Sequence, residues 1–248
     1  MNDGSQLSRH ARHLALEQVG AEGQFRIGNA TALLIGVGGI GCAAASYLVS
    51  SGVGRIRLCD FDTVDPTNLG RQFLYGPDDT GKLKAEVAAT KLAAINPDIQ
   101  LEAITDRLDD DAMAEAVAGA NVVLDGSDNF ATRFQVNAAC VAGNRCLVSG
   151  AAIRLEGQLA VFGPDYDSSP CYRCLYKEAD ESLENCAGNG VLAPVPGVVG
   201  TMMAVEALKF LAGIESPRGM LQLYDATHGV FNSLDIRKDR ECPTCCRN

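Results

Sequence analysis

Three histidines, His10, His13 and His228, are all that the chain carries. None sits at ligand spacing or beside a nucleophile, so neither a histidine-based triad nor a histidine metal site is expected. Cations are scarce too: Lys and Arg number 21 against 31 Asp and Glu, a formal net charge of −10. Phosphate backbones and anionic membranes are gripped mainly by Lys and Arg, so this balance argues against non-specific binding to either. A polyphosphate ligand must therefore meet a local cluster of positive charge. No run reaches the ~18 consecutive apolar residues of a membrane span. The opening MNDGSQLSRHARHLALEQ has no apolar h-region and no small-residue cleavage site. Repeats and low-complexity tracts are missing as well. The expectation is a cytoplasmic protein with no membrane or nucleic-acid partner.

What is present is ordinary globular material: 248 residues, 47% hydrophobic and 21% charged, enough for one sizeable core. Ten cysteines without an export signal favour metal or catalytic sulfur chemistry over a disulfide framework. A short helix is expected over 8–18, then a strand over 31–35, a small-residue helix running to about 51, and a strand over 55–59. This βαβ unit demands a parallel sheet with its crossover helix on one face. The alternation continues with helices over 82–95, 109–117 and 129–142 and strands over 99–104, 122–125 and 146–149. Beyond Gly150 the texture changes to short strands over 158–162, 220–224 and 230–236, with a Met-, Ala- and Val-rich helix over 198–211. The fold class expected is α/β: a doubly wound, Rossmann-like, mostly parallel sheet extended by antiparallel strands within a single domain. Its nucleotide-binding core would span about 30–150, with the remainder, 151–248, carrying partner and metal functions.

Gly36-x-Gly38-x-x-Gly41 lies between the first strand and its helix, the context that gives this pattern meaning. Glycines there permit a tight turn and close backbone approach, and the helix N-terminus offers free N–H groups to a phosphate. Asp60 closes the next strand, where an acid can accept from ribose hydroxyls. These features fit a dinucleotide and an adenine nucleotide equally well. The residues that follow separate them. Arg71, Lys82 and Lys84 come soon after Asp60, and a bound triphosphate needs such cations whereas a dehydrogenase does not. Asp128 follows the strand ending at Asp125, and a carboxylate there could hold Mg²⁺ together with phosphate oxygens. An NAD-dependent oxidoreductase is the alternative from another class; it lacks an evident hydride-transfer partner.

The cysteines divide into kinds. Cys171-Tyr-Arg-Cys174 and Cys242-Pro-Thr-Cys245 are C-x₂-C pairs separated by 67 residues. They read either as one tetrahedral metal site or as two unrelated reduced dithiols, since the gap exceeds that of a zinc ribbon. Cys246 is a competing neighbour, and Cys245 is favoured by its spacing. Cys42, Cys59, Cys140 and Cys146 fall inside expected helices and strands and read as small core residues. Met202 and Met203 read as core or dimer packing. Cys186 stands in a polar, Gly-containing stretch.

Taken together, SRHAR, GVGGIG, DFDTVDPTNLGRQ, GKLKAE, DGSDNFATR, CYRC, GVLAP and CPTC resemble the ThiF/MoeB/HesA family of adenylyltransferases, bacterial relatives of ubiquitin-activating enzymes. The resemblance runs from about Leu7 to Cys245. It implies ATP-dependent adenylylation of the C-terminal Gly-Gly carboxylate of a ubiquitin-like sulfur carrier, in molybdopterin or thiamine biosynthesis. By position it places Gly36, Gly38, Gly39 and Gly41 at the nucleotide, Asp60 on the ribose, and Asp62, Thr67, Asn68, Leu69, Gly70, Arg71, Gln72 and Lys84 around the phosphates. Asp128, with Asn129 beside it, becomes the Mg²⁺ ligand. Arg12 corresponds to an arginine that reaches into the other subunit's site, which implies a homodimer. Cys171, Cys174, Cys242 and Cys245 become one structural Zn²⁺ site. Cys186 corresponds to a position that bonds to the carrier terminus in ThiF-type relatives and is dispensable in MoeB-type ones. Departures are Gly70 where Gln is frequent, His10 where an aromatic residue is common, and Asn189 in a small-residue stretch. The segment 148–157 looks MoeB-like and 213–219 more ThiF-like, so the carrier stays open. With no rhodanese-like extension, a separate sulfur donor protein is expected. A non-catalytic carrier-binding scaffold is the remaining alternative, against which stand the phosphate-facing residues.

Overall fold

Residues 9–177, 190–216 and 218–246 are described by the structure, a computed structural model. Strand β1 (Thr31–Ile35) is apolar along nearly its whole length because both of its faces are covered. It feeds helix α3 (Gly39–Ser50), whose Ala43, Ala44 and Ala45 let it lie close to the sheet. Strand β2 (Arg55–Cys59) returns parallel to β1. Helix α4 (Lys84–Ile95), strand β3 (Gln100–Ile104), helix α5 (Asp110–Ala118), strand β4 (Val122–Asp125), helix α6 (Phe130–Ala142) and strand β5 (Cys146–Ile153) complete the alternation. Strand β3 is an edge, and Glu102 on it ion-pairs with Arg55 and Arg57 of β2, which puts charge where an unpaired edge would otherwise invite association.

The chain then turns back. Strand β6 (Glu156–Phe162) pairs antiparallel with β5, and β7 (Met220–Asp225) and β8 (Val230–Asp235) continue outward, giving one eight-stranded sheet of order β3-β2-β1-β4-β5-β6-β7-β8. The antiparallel strands therefore extend the parallel sheet, as the sequence implied. One apolar core lies between the sheet and α3, α4 and α8 (Pro194–Ala212); the other lies on the opposite face under α5, α6, the short α7 (Tyr172–Leu175) and the C-terminal tail.

Helix α8 is long and apolar enough, by length and composition, to cross a membrane. Its apolarity has a local cause: α3 packs on one side, β5 and β6 on another, and its surroundings in the core are apolar on several faces. It starts four residues earlier than its apolar pattern indicates, with Pro194 at the first turn, where a missing N–H costs nothing, and it ends at Gly213 in the left-handed conformation. Gly200 brings it against α3: a Cβ there would lie 2.1 Å from the Ile40 carbonyl oxygen.

Two differences from the sequence reading stand at the start of the chain. The helix expected over 8–18 is the single turn α1 (Ala11–Leu14), and a second helix, α2 (Gly20–Gly28), follows it. Three glycines in nine residues give α2 poor intrinsic propensity. Packing supplies what propensity does not: Ile27 is buried, Gly23 sits against Ala212, and Arg26 ion-pairs with Glu22 one turn away.

Because the backbones of α3 and α8 touch at Gly200, Gly200→Ala is expected to lower stability by ~1–3 kcal/mol through overpacking. The urea midpoint measures this; an unchanged midpoint would mean that the two helices are not in backbone contact.

Candidate active site

In a doubly wound sheet, ligands bind where strand order reverses, beyond the carboxyl ends of the strands. Here that point lies between β1 and β4, since β2 and β3 run off one side and β4 and β5 the other. A cleft of about 700 Å³ opens there, within the ~300–1,000 Å³ typical of small-molecule sites.

The glycine turn forms its floor. Gly36 has φ +81°, and a Cβ on it would meet the Gly126 backbone at 3.1 Å. A Cβ on Gly41 would come within 2.1 Å of the Gly36 carbonyl oxygen, so the first turn of α3 rests directly on the end of β1. The Tyr75 hydroxyl donates to the Val37 carbonyl at 2.8 Å and fixes the turn from behind. Asp60 accepts from the Val37 amide at 2.7 Å and the Asp62 amide at 3.0 Å. Burial pushes its carboxyl above the usual carboxylate range, and nearby Lys84 with these two amides opposes that rise.

Lys84 is the first residue of α4, where unpaired N–H groups already concentrate positive potential. It is buried as well. A cation in that position is disfavoured twice, and Asp62, 3.1 Å from Nζ, offsets the charge. Asp62 is itself mostly exposed, so the pair is open to a ligand anion. Arg71 donates to the Thr67 carbonyl at 3.1 Å and presents the rest of its guanidinium to the cleft. Gln72 is buried with its Oε1 unpartnered among the described residues, an acceptor out of water beside Gly38.

Across the cleft, Asp125 ends β4 and is fully buried, its carboxyl raised by burial. Its Oδ1 accepts from the Ser127 amide at 3.0 Å and the Ser127 hydroxyl at 2.6 Å. Asn129 caps α6 by accepting from the Thr132 amide at 2.9 Å. Asp128 stands exposed between these anchored residues, and among the described residues its carboxylate accepts one long hydrogen bond, from Asn129 at 3.5 Å. The loop is fixed while the carboxylate is left for a ligand. Ile35, Leu108 and Met113 supply an apolar wall suited to a base, and Arg107 stacks over Phe61 at 4.4 Å on the rim. Five cations (Arg71, Lys84, Arg107, Arg133, Arg154) and five carboxylates (Asp60, Asp62, Asp110, Asp128, Glu156) line the cleft. It is balanced in a molecule of net charge −10, which is the local enrichment in cations that a polyphosphate needs.

On the far face of the sheet, Cys171, Cys174, Cys242 and Cys245 place their sulfurs within 4.8 Å of one another. The pairs Cys171–Cys242 and Cys174–Cys245 stand at 3.6 and 3.5 Å. A tetrahedron with Zn–S of ~2.3 Å has edges of about 3.8 Å, so the donor set fits such an ion. Asn137 Nδ2, at 3.7 Å from Cys171 Sγ, and the Asp239 amide, at 3.4 Å from Cys174 Sγ, donate to sulfur. Cys246 turns its thiol to the Asp239 carbonyl instead.

The chain belongs to the ThiF family. The match covers residues 10–244. The chain is 43% identical over 245 residues to the sulfur carrier protein ThiS adenylyltransferase of Escherichia coli K12, covering 99% of this chain and 97% of that protein. It is 42% identical over 241 residues to the molybdopterin-synthase adenylyltransferase of Salmonella typhimurium LT2, covering 97% and 96%. Among solved structures, E. coli MccB with ATP superposes with a TM-score of 0.83 at 25% identity, over 99% of this chain and 75% of that one.

Of the residues singled out from the family's sequence, Gly36, Gly38, Gly39, Asp60, Asp62, Arg71, Gln72, Lys84, Asp128 and Asn129 line the cleft. Gly41 lies beneath the turn as packing; Thr67 and Asn68 belong to the short 3₁₀ turn Pro66–Asn68 and Leu69 and Gly70 follow it, all four outside the lining. Arg12 is exposed on α1 and does not line its own chain's cleft. Cys186 lies outside the described residues. Sequence reasoning missed Asp125, Tyr75, Arg107 and Arg133. Arg133 closes the quoted DGSDNFATR, so its position in that motif was the available signal; Tyr75 carried none.

Cys42, Cys59, Cys140 and Cys146 are buried, and burial pushes the thiols of Cys42, Cys59 and Cys146 up to about 12 and Cys140 well above its ordinary value. Only the thiolate reacts with alkylating agents. Iodoacetamide at pH 8 is therefore expected to spare these four in the folded protein and to label them in denaturant. Peptide mapping checks this, and labelling of the native protein at any of the four would contradict their placement.

Proposed function

We propose that this protein uses ATP and Mg²⁺ to adenylylate the C-terminal carboxylate of a ubiquitin-like sulfur carrier, releasing pyrophosphate. The observation that carries the reading is the convergence of Arg71, Lys84 and Asp128 on one cleft at the glycine turn. The full-length likeness to adenylyltransferases named for the sulfur carrier protein ThiS and for molybdopterin synthase supports it, and so does the fold shared with MccB, solved with ATP.

A carboxylate is a poor acyl donor because its oxygen leaves badly. In the proposed reaction a terminal glycine oxygen attacks the α-phosphorus of ATP, and the bond from that phosphorus to the bridging oxygen breaks. The electron pair leaves with pyrophosphate, and the product is an acyl-adenylate. Two anions must approach, so the protein's task is positioning and charge. Asp60 would accept from the ribose hydroxyls, as its place at the end of β2 supports. Backbone N–H groups of the turn at Gly38 and Gly39 would face phosphate. Lys84 would exchange part of its contact with Asp62 for phosphate oxygen, and Arg71 would fork onto the same group. Gln72 would orient the phosphates, with Asn68 beside it. Asp128, exposed and without a cation partner among the described residues, fits the single carboxylate that Mg²⁺ takes beside phosphate oxygens; the ion would supply charge neutralisation on the leaving group.

Arg12 would act across a homodimer, which its absence from its own cleft supports. Cys186 is assigned to later sulfur transfer from a separate donor protein. Cys171, Cys174, Cys242 and Cys245 would hold a structural Zn²⁺ that pins the tail against α6 and α7.

Incubation with ATP, Mg²⁺ and each candidate carrier should raise one carrier's mass by one AMP; no gain on any Gly-Gly carrier would remove the activity. Asp128→Ala should abolish carrier-dependent pyrophosphate exchange, and Arg71→Ala or Lys84→Ala should slow it by ~10²–10³. Normal exchange in Asp128→Ala would take that residue out of the mechanism. Elemental analysis of protein purified without chelator should give about one zinc per chain, lost in Cys242→Ser; a content near zero would exclude the zinc site.

A further inference from the structure

The Asp128 loop and the cysteine cluster belong to different elements, and a hydrogen-bonded strut joins them. Arg133, in the second turn of α6, is buried. Its Nη2 donates to the Ser127 carbonyl at 2.6 Å and the Gly150 carbonyl at 3.4 Å, and its Nη1 donates to the Tyr172 hydroxyl at 3.3 Å. Every one of these acceptors is neutral. Nearby buried Asp125 offsets its charge through space, and its hydrogen bonds all go to the three neutral groups that they hold in place.

Both ends of the strut are fixed. Ser127 immediately precedes Asp128, and its amide and hydroxyl are already bound by Asp125, so Asp125 and Arg133 grip it from two sides. At the other end, Tyr172 immediately follows Cys171. Asn137 accepts from the Tyr172 amide at 2.9 Å and reaches Cys171 Sγ at 3.7 Å with its amide nitrogen. One α6 side chain thus orients both the sulfur and the tyrosine that holds Arg133.

We infer that Arg133 and Tyr172 are positioning residues that transmit the order of the four-cysteine cluster to the Asp128 loop. A metal held by the cysteines then tightens Mg²⁺–ATP binding from the far end of the strut, without touching it. The inference rests on the adenylylating reading above.

Tyr172→Phe tests it, because the ring keeps its packing against Phe134, Phe162 and Tyr176 and only the hydroxyl is lost. Calorimetry would give ATP affinity with and without Mg²⁺, for the unaltered protein and Tyr172→Phe, each loaded with metal and after chelation. Metal content and unfolding midpoint would be read on the same samples. Expected is unchanged metal content and midpoint in Tyr172→Phe, with Mg²⁺–ATP bound about tenfold more weakly, the scale of a lost hydrogen bond to a charged group. Affinity for ATP without Mg²⁺ should be unchanged. Chelation should weaken Mg²⁺–ATP binding in the unaltered protein and have a smaller effect in Tyr172→Phe, the mark of coupled sites. Should the stripped protein unfold, loaded Arg133→Lys decides: it should show the same Mg²⁺-specific loss with its metal retained. Equal affinities in loaded Tyr172→Phe and the unaltered protein, or an equal effect of chelation in both, would overturn the strut. Failure of the unaltered protein to bind Mg²⁺–ATP would overturn the adenylylating reading and the inference with it.

Discussion

Backbone meets backbone at three points around the first turn of α3, and the arrangement of the cleft follows from that closeness. Gly41 rests on the Gly36 carbonyl, Gly36 lies against Gly126, and Gly200 of α8 rests on the Ile40 carbonyl. The first contact sets the angle at which α3 leaves β1 and so the direction of its free N–H groups. The second holds the loop after β4, with Asp128 two residues on, at a fixed distance from the turn. The third ties the antiparallel half of the molecule to the same few atoms. A side chain at any of these points would separate parts that a phosphate would touch together in the proposed reaction, and packing at native density leaves no slack to absorb it.

Electrostatics builds on that scaffold. Lys84 is set where both burial and the α4 dipole oppose it, and Asp62 is the counter-charge that its Nζ touches, with Asp60 nearby. Such an arrangement is less stable than an apolar pair would be, and it is ready for an incoming anion that can replace a half-exposed carboxylate. Asp60 shows the reverse case. Two backbone amides already hold its charge in place despite burial, so it offers fixed acceptors and does not need to move. In the proposed reaction one acid would yield to the ligand and the other would receive it.

The strands and helices of the parallel half were legible because their periodicity and their glycine and proline punctuation agree. Strands 31–35 and 55–59 begin and end at the residues that the sequence marks. Helix α2 was not legible, since three glycines speak against it and tertiary contacts, among them Gly23 against Ala212 of α8 and the burial of Ile27, hold it. The cleft divides the same way. Charges in a motif, such as Arg71, Lys84 and Asp128, announce themselves by spacing from the glycine turn. Tyr75 acts through one hydroxyl on a backbone carbonyl, and no spacing distinguishes it from a core residue, whereas Asp125 opens DGSDNFATR but reads from sequence as the end of an apolar strand. The two C-x₂-C pairs left their partnership open in sequence, because what joins them is the folding of the tail under α6.

That folding explains why a cysteine cluster so far from the glycine turn belongs to the same machine. The chain's last described strand, β8, ends at the far edge of the sheet, and the tail must return across the lower face to reach Cys171 and Cys174. Lys238 meets it there, donating to the Tyr166 and Ser169 carbonyls and to Cys245 Sγ. The closure joins residues about 70 apart in sequence, and a crosslink that spans a long loop removes more freedom from the unfolded chain than a short one does. Its larger consequence is local. The element that it immobilises, α7, carries the tyrosine that meets Arg133, so order gained at the chain's end is delivered to the loop that bears Asp128.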